Sequence, residues 1–217
     1  MKKIAILGTG MVGNTIGTRL VELGYNVMMG SRSANNENAQ AWVNANGEKA
    51  SAGTFEDATK FGEIIFNCTK GDASLEAIKM AGLENFTGKT LIDIANPLDF
   101  SKGMPPSLIP ELSNTNSLGE EIQKLIPAAN IVKTLNIVNC EVMIDATRSG
   151  GEPTMFLCGN NADAKEEVKS ILQQFKWSDI IDLGDITTAR GTEMLLPIWL
   201  RTWFATDNGH FAFKIVR

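Results

Sequence analysis

One stretch constrains this chain more than any other: a short apolar run, Lys3–Leu7, that empties into Gly8-Thr9-Gly10-Met11-Val12-Gly13, the pattern GxGxxG. Three glycines alone specify little, so the flanks decide. The run before them is short, apolar and partly β-branched, as a buried strand requires. After them, Val12, Ile16, Leu20 and Leu23 recur at helical spacing over residues 11–23, and Gly24 stands where a helix-ending glycine belongs. A strand, a glycine turn and a helix in that order place the free amides of the helix start, and the positive end of its dipole, against whatever lies above the turn. Gly8 permits the tight turn, Gly10 leaves the backbone bare, and Gly13 lets the helix lie close on the strand. The segment predicts a diphosphate-binding turn inside a strand–helix–strand unit.

The rest of the chain continues that alternation. Strands are predicted at residues 26–30, 49–52, 64–68, 90–95, 131–135, 154–158 and 179–183, and helices at 37–45, 55–61, 73–81, 117–125 and 161–175. Val168, Ile171, Leu172 and Phe175 give the last of these an apolar stripe. Such alternation implies an α/β fold, a Rossmann-type doubly wound, mostly parallel sheet with a small C-terminal helical segment. Residues 99–116, with Pro105, Pro106 and Pro110, read as a long loop of functional or mobile character. Residues 193–204 are apolar on every side of a helix, which calls for burial, here against a second subunit. The expected division is 1–138 as a dinucleotide-binding Rossmann domain and 139–217 as a C-terminal αβ extension and dimerisation segment.

The end of the second strand discriminates between dinucleotides. An NAD site usually carries Asp or Glu about 20 residues beyond the glycines, on the ribose hydroxyls. Here Gly30-Ser31-Arg32-Ser33 occupies that place, with no carboxylate to repel a 2′-phosphate and an arginine fork that suits one. NADP is the expected cofactor. Cys68-Thr69-Lys70, Ala95-Asn96-Pro97 and Asn136 fall at other strand ends, where an open α/β sheet binds its ligand, and are expected to line the ribose and nicotinamide.

Composition excludes several classes. Twenty basic against 25 acidic residues give a net charge of −5, without a basic cluster, which argues against nucleic acid. No apolar run reaches the length of a membrane span, and the glycines break the signal-like opening Met1-Lys2-Lys3 too early. Cys68, Cys140 and Cys158 form no CxxC pair and read as buried thiols of a cytoplasmic protein, with neither disulfide nor metal site. Asp93 and Asp145 have no partner visible in the sequence, and the single histidine, His210, lies far along the tail. No catalytic acid, base or nucleophile is identified.

With those residues in view, the chain resembles the NADP oxidoreductase family typified by deazaflavin (coenzyme F420)-dependent NADP reductases. The resemblance rests on Gly8-Thr9-Gly10 through Gly13, Gly30-Ser31-Arg32, Asn96-Pro97-Leu98-Asp99-Phe100, Val132-Lys133-Thr134-Leu135-Asn136, and Asp182-Leu183-Gly184-Asp185 through Arg190-Gly191-Thr192-Glu193. The nucleotide half is also similar to the cytosolic domain of six-transmembrane metalloreductases. The family implies a dimer, hydride transfer between NADP(H) and a bound deazaflavin, and contacts to NADP from Thr9, Ser31 and Arg32. Family members often place a second basic residue just beyond the arginine, where this chain has Ala34-Asn35-Asn36.

Hydride transfer between two rings depends on distance, orientation and exclusion of water more than on a side-chain acid. The expected function is therefore an oxidoreductase passing a hydride between NADP(H) and a flavin- or deazaflavin-like or other small electron donor or acceptor. Two alternatives stand beside it: an NADP-binding sensor without turnover, and a dehydrogenase of small alcohols or acids.

Overall fold

The computed structural model describes residues 2–217. The opening run forms β1 (Lys3–Leu7), and the glycine turn delivers the chain into α1 (Met11–Glu22), which buries Ile16 and Leu20. Gly24 sits at φ +97°, the left-handed conformation that ends a helix without a Cβ clash. Then come β2 (Asn26–Ser31), α2 (Glu37–Asn46), β3 (Ala50–Thr54), α3 (Phe55–Phe61), β4 (Ile64–Asn67), α4 (Ser74–Met80) and β5 (Thr90–Asp93). A small hairpin, β6 (Leu98–Asp99) and β7 (Ser107–Leu108), precedes α5 (Leu118–Leu125) and β8 (Asn130–Thr134). The chain finishes through α6 (Cys140–Ile144), β9 (Thr154–Gly159), α7 (Ala162–Gln174), β10 (Asp179–Asp182) and α8 (Ala189–Thr206).

One eight-stranded sheet results, in the order β10-β9-β8-β5-β4-β1-β2-β3. Every neighbouring pair is parallel except β8 and β9. Because β1 is covered on both faces, its residues split between two cores. Ile4 and Ile6 join Ile16, Trp42 and Phe66 on one side, while Ala5 and Leu7 join Ile65, Phe86 and Leu91 on the other. That two-sided burial is why its sequence is continuously apolar instead of alternating. Helix α2 docks on α1 through Trp42. A Cβ on Gly17 would lie 2.9 Å from its ring, and its indole N–H donates to Thr18 at 3.0 Å.

Residues 139–217 extend the same sheet, since β9 pairs with β8 and β10 with β9. An antiparallel β9 starts at the edge where β8 stops, so residues 135–153 need no crossover and stay at the carboxyl end of the sheet. There α6, a helix too short for periodicity to show, packs Val142 and Met143 into the core beside the start of α1.

Two expectations change. The stretch 99–116 is not structureless: β6 and β7 pair through Leu98 with Leu108, and Pro110–Leu112 adds a helical turn. Two-residue strands carry no periodic signal, so proline content alone read as loop. The C-terminal helix is buried on one side only. Leu196, Trp199 and Leu200 pack against Leu98, Phe211 and Phe213, while Met194, Ile198, Trp203 and Phe204 are exposed. Among the described residues no helix is long and apolar enough to cross a membrane.

Candidate active site

The three motif glycines meet different surroundings. A Cβ on Gly8, which has φ +116°, would lie 2.7 Å from the Cys68 carbonyl oxygen, and one on Gly13 would lie 2.2 Å from the Gly8 carbonyl oxygen. Protein backbone therefore excludes any side chain at both. At Gly10 nothing lies within 4 Å of the corresponding point. The bare face of Gly10 is open, as a site for a ligand's phosphates requires.

Helix α1 starts at this residue without a side-chain cap and with no acid in its first turn. By contrast α2, α3, α5 and α7 are capped by Asn36, Thr54, Ser117 and Asn161. The first amides of α1 are thus left for an anion, and the helix dipole favours one there. The residues present fit a dinucleotide diphosphate.

Besides a groove of about 610 Å³ between α1 and α2 that reaches Thr9, Gly10 and Met11, two cavities flank the turn on the side of Cys68. One, of about 410 Å³, is lined by Gly8, Thr9, Gly10, Ser31, Arg32, Asn36, Phe55, Cys68, Thr69 and Lys70, with α4 along its far side. Arg32 is exposed at its edge, while Ser31 is buried and donates its hydroxyl to the Ser33 carbonyl at 2.6 Å. That bond closes the Ser31-Arg32-Ser33 turn and projects the arginine outward.

The second cavity, of about 360 Å³, runs from Met11 and Val12 past Cys68, Thr69, Lys70, Ala95, Asn96 and Asn136 to the inner face of α8. Its far wall consists of Phe100, Val138, Met143, Leu196, Trp199, Leu200 and Trp203. Cys68, Thr69 and Lys70 border both cavities and mark their junction. Of the residues predicted from sequence, Gly13, Ser33 and Pro97 line neither. Gly13 packs under the turn, Ser33 closes the Ser31 turn, and Pro97 is buried.

The aromatic wall was not anticipated. Its residues lie on α6, the hairpin and α8, and the only sequence signal was the excess of apolar residues in the tail. Trp199 stacks on Phe211 at 5.3 Å between ring centroids, and Trp203 leans on Trp199 at 5.4 Å, so the wall is a packed cluster. Cys68, expected to be buried, is partly exposed along the cavity, though burial of its thiol pushes its pKa up and keeps it neutral.

The polar groups at the junction are committed to one another. Asn136 donates to Asn96 at 2.9 Å and to the Thr192 carbonyl at 3.0 Å, and Asn96 donates back to the Asn136 carbonyl at 2.8 Å. Beneath them lies a buried charge cluster that sequence reasoning missed. Lys133 sits 2.7 Å from Asp93 and 2.8 Å from Glu193, and donates to the Ala95 carbonyl at 2.5 Å. Glu193 in turn accepts the Leu118 and Gly119 amides at 2.9 and 3.1 Å, capping α5 from the start of α8. Burial works against the Lys133 ammonium, yet the two carboxylates outweigh it and raise its pKa. Asp145, the other aspartate without a visible partner, pairs with Lys176 at 2.8 Å on the surface.

Residues 3–97 match the family model described as NADP oxidoreductase, coenzyme F420-dependent. A crystal structure of a candidate F420-dependent NADP reductase from Arthrobacter sp. FB24 shares 47% identity over the whole of both chains, with a TM-score of 0.94. The F420-dependent NADP reductase of Methanocaldococcus jannaschii is 26% identical over 90% of each chain. Metalloreductase STEAP3 of Rattus norvegicus is 26% identical over 91% of this chain, which spans only 38% of that longer protein.

Proposed function

This chain belongs to the coenzyme F420-dependent NADP oxidoreductase family, and from that premise we propose that it passes a hydride between NADP(H) and a flat flavin- or deazaflavin-like acceptor seated in the aromatic-walled cavity. NADP(H), when bound, supplies or receives the hydride, and the chain's own residues bind, orient and exclude water. In this reading the α1 amides at Gly10, Met11 and Val12 hold the diphosphate, and Ser31 with Arg32 hold the 2′-phosphate. Cys68, Thr69, Lys70, Ala95, Asn96 and Asn136 border the nicotinamide.

The observation that carries the reading is the apolar cavity opening directly off the phosphate turn, with Cys68, Thr69 and Lys70 common to both spaces. A cavity walled by Trp199, Trp203, Phe100 and Met143 suits a planar ring better than a small hydroxy acid. The amides of Asn96 and Asn136 are already paired. A ring that spreads the incoming charge over its own heteroatoms needs no protein proton at the moment of transfer. The exposed face of α8, with Met194, Ile198 and Phe204, supports a homodimer. Three free cysteines support a reducing, cytoplasmic setting.

Mixing the purified protein with NADPH and, separately, oxidised coenzyme F420, FMN, FAD and a soluble quinone tests the reading. Loss of NADPH absorbance with a deazaflavin or flavin is the expected result. Tight NADPH binding with no oxidation by any acceptor would point to the sensor role, and oxidation of NADP-linked alcohols to the dehydrogenase.

A further inference from the structure

We propose that Asp93 is a positioning residue for hydride transfer, acting through Asn67 to set the Thr69 hydroxyl as a hydrogen-bond acceptor at the junction of the two cavities. This rests on the reading above, in which the nicotinamide lies at that junction.

Asn67 and Asp93 end β4 and β5, and Lys133, one residue before the end of the adjacent parallel β8, sits at matched register, so their side chains share one face of the sheet, and all three are fully buried. The relay follows from what each group can do. Asp93 and Glu193 only accept, and Lys133 only donates. Lys133 places its ammonium on Glu193, on the Ala95 carbonyl and on one Asp93 oxygen, Oδ2, which leaves the other Asp93 oxygen, Oδ1, to accept from elsewhere.

Asp93 then accepts the Asn67 amide nitrogen at 2.8 Å through the same oxygen that receives the Ala95 amide at 3.2 Å. An amide has one donating and one accepting end. Tying its nitrogen to Asp93, and at 3.1 Å to Ser74, turns its oxygen toward Thr69. The Thr69 hydroxyl donates to that oxygen at 2.6 Å. With its proton engaged there, Oγ1 can only accept from the Ser74 hydroxyl, 2.7 Å away, and its second lone pair is left for a ligand donor. A nicotinamide ring carries a carboxamide N–H₂ suited to such an acceptor, and that bond would fix which way the ring faces the second cavity.

Asn67, Ser74 and Asp93 are shielded from water and hydrogen-bonded to one another, so the polarity reaching Thr69 is set by the Asp93 carboxylate and not by chance rotamers. Replacing Asp93 by Asn gives Asn67 an equal neighbour. Its amide can then turn over, and Thr69 no longer has a defined proton direction.

The test compares Asp93→Asn with the wild-type protein in three readouts. Affinity for 2′,5′-ADP, which reaches only the phosphate end, should stay within about twofold, since those contacts lie at Gly10 and Arg32. The emission enhancement and anisotropy of bound NADPH, which report ring ordering without any acceptor, should fall. With coenzyme F420 as acceptor, kcat should drop roughly tenfold while KM for NADPH changes little, and the isotope effect with 4-deuterated NADPH should rise. Because a buried charge is altered, Thr69→Val and Thr69→Ser provide a second pair at the partly exposed end of the relay. Valine should reproduce the loss, and serine should restore wild-type emission. Wild-type emission in both Asp93→Asn and Thr69→Val would overturn the proposal, as would parallel losses of 2′,5′-ADP and NADPH binding. If the wild type oxidises no NADPH with F420 yet the emission differences hold, the acceptor reading falls and the positioning role stands.

Discussion

Lys133 and Asp93, neighbours across β8 and β5, form an ion pair of 2.7 Å from which solvent is wholly excluded. Such a pair is costly to create, but costlier to break, because removing one partner leaves a charge unmatched in the interior. Lys133→Met would strand both Asp93 and Glu193. We expect a loss of about 3–5 kcal/mol in chemical denaturation, far above the typical surface substitution. A loss below about 1 kcal/mol would show that the two carboxylates protonate or hydrate without cost.

The parts of this fold that could be read from the sequence are those governed by local pattern. β1, α1 and their glycine turn are a contiguous strand–turn–helix signal, and α3 and α7 follow from spacing alone. The charge cluster could not be read, because Asp93, Lys133 and Glu193 are far apart in the chain and meet only once β5, β8 and α8 are assembled. The aromatic wall was half visible. Residues 193–204 announced a need for burial, but not that Trp199 would turn inward while Ile198 stayed exposed. Nor can period-based reading see α6 or the β6–β7 hairpin, which are too short to show a period.

The glycines of the turn provide a contrast between folding and binding. Gly13→Ala places a methyl 2.2 Å from the Gly8 carbonyl oxygen, a backbone atom that cannot yield without moving β1. It should lower the melting temperature markedly. Gly10→Ala meets empty space at an ordinary φ of −77°, so its melting temperature should match the wild type. Its methyl would occupy the phosphate side, and NADPH affinity should fall at least about tenfold, or 1.4 kcal/mol. Calorimetric titration with NADPH alongside a melting curve separates the two effects.

Arg32 tests the choice of dinucleotide. It is exposed at the rim of the groove beside Ser31, where a 2′-phosphate would lie. Arg32→Ala should weaken NADPH binding by about 1.5–3 kcal/mol, the range of hydrogen bonds to charged groups, and leave NADH nearly unchanged. Equal losses for both nucleotides would mean that the arginine does not read the extra phosphate.

Asp179 anchors the end of the chain and should make it acid-sensitive. Its carboxylate accepts Thr154 at 2.6 Å, Lys214 at 2.9 Å and Arg217 at 2.7 Å, led by the Thr154 hydroxyl, and its pKa is pulled from 3.8 to about 2. A folded-state pKa below the unfolded one means that the stabilisation is complete above pH 3.8 and is lost as pH falls toward about 2. Limited proteolysis near Lys214 should therefore accelerate across that window. Asp179→Asn should be cleaved readily at all pH values, without the acid step.

The exposed face of α8 sets the last expectation. Ile198 and Phe204 are 51% and 52% exposed on a helix whose opposite side packs onto the cavity, so about half of each apolar side chain is left to water, Phe204 resting on the Trp203 ring. Apolar residues left outward on such a face favour a second copy, whose matching face would cover them by two-fold symmetry. Sedimentation should show the wild type as a dimer, and Ile198→Asp with Phe204→Asp as a monomer that still binds 2′,5′-ADP. That retained binding matters, because the nucleotide groove is built from the opposite half of the sheet. A wild-type protein that sediments as a monomer at high micromolar concentration would refute the dimer and leave the hydride-transfer reading untouched.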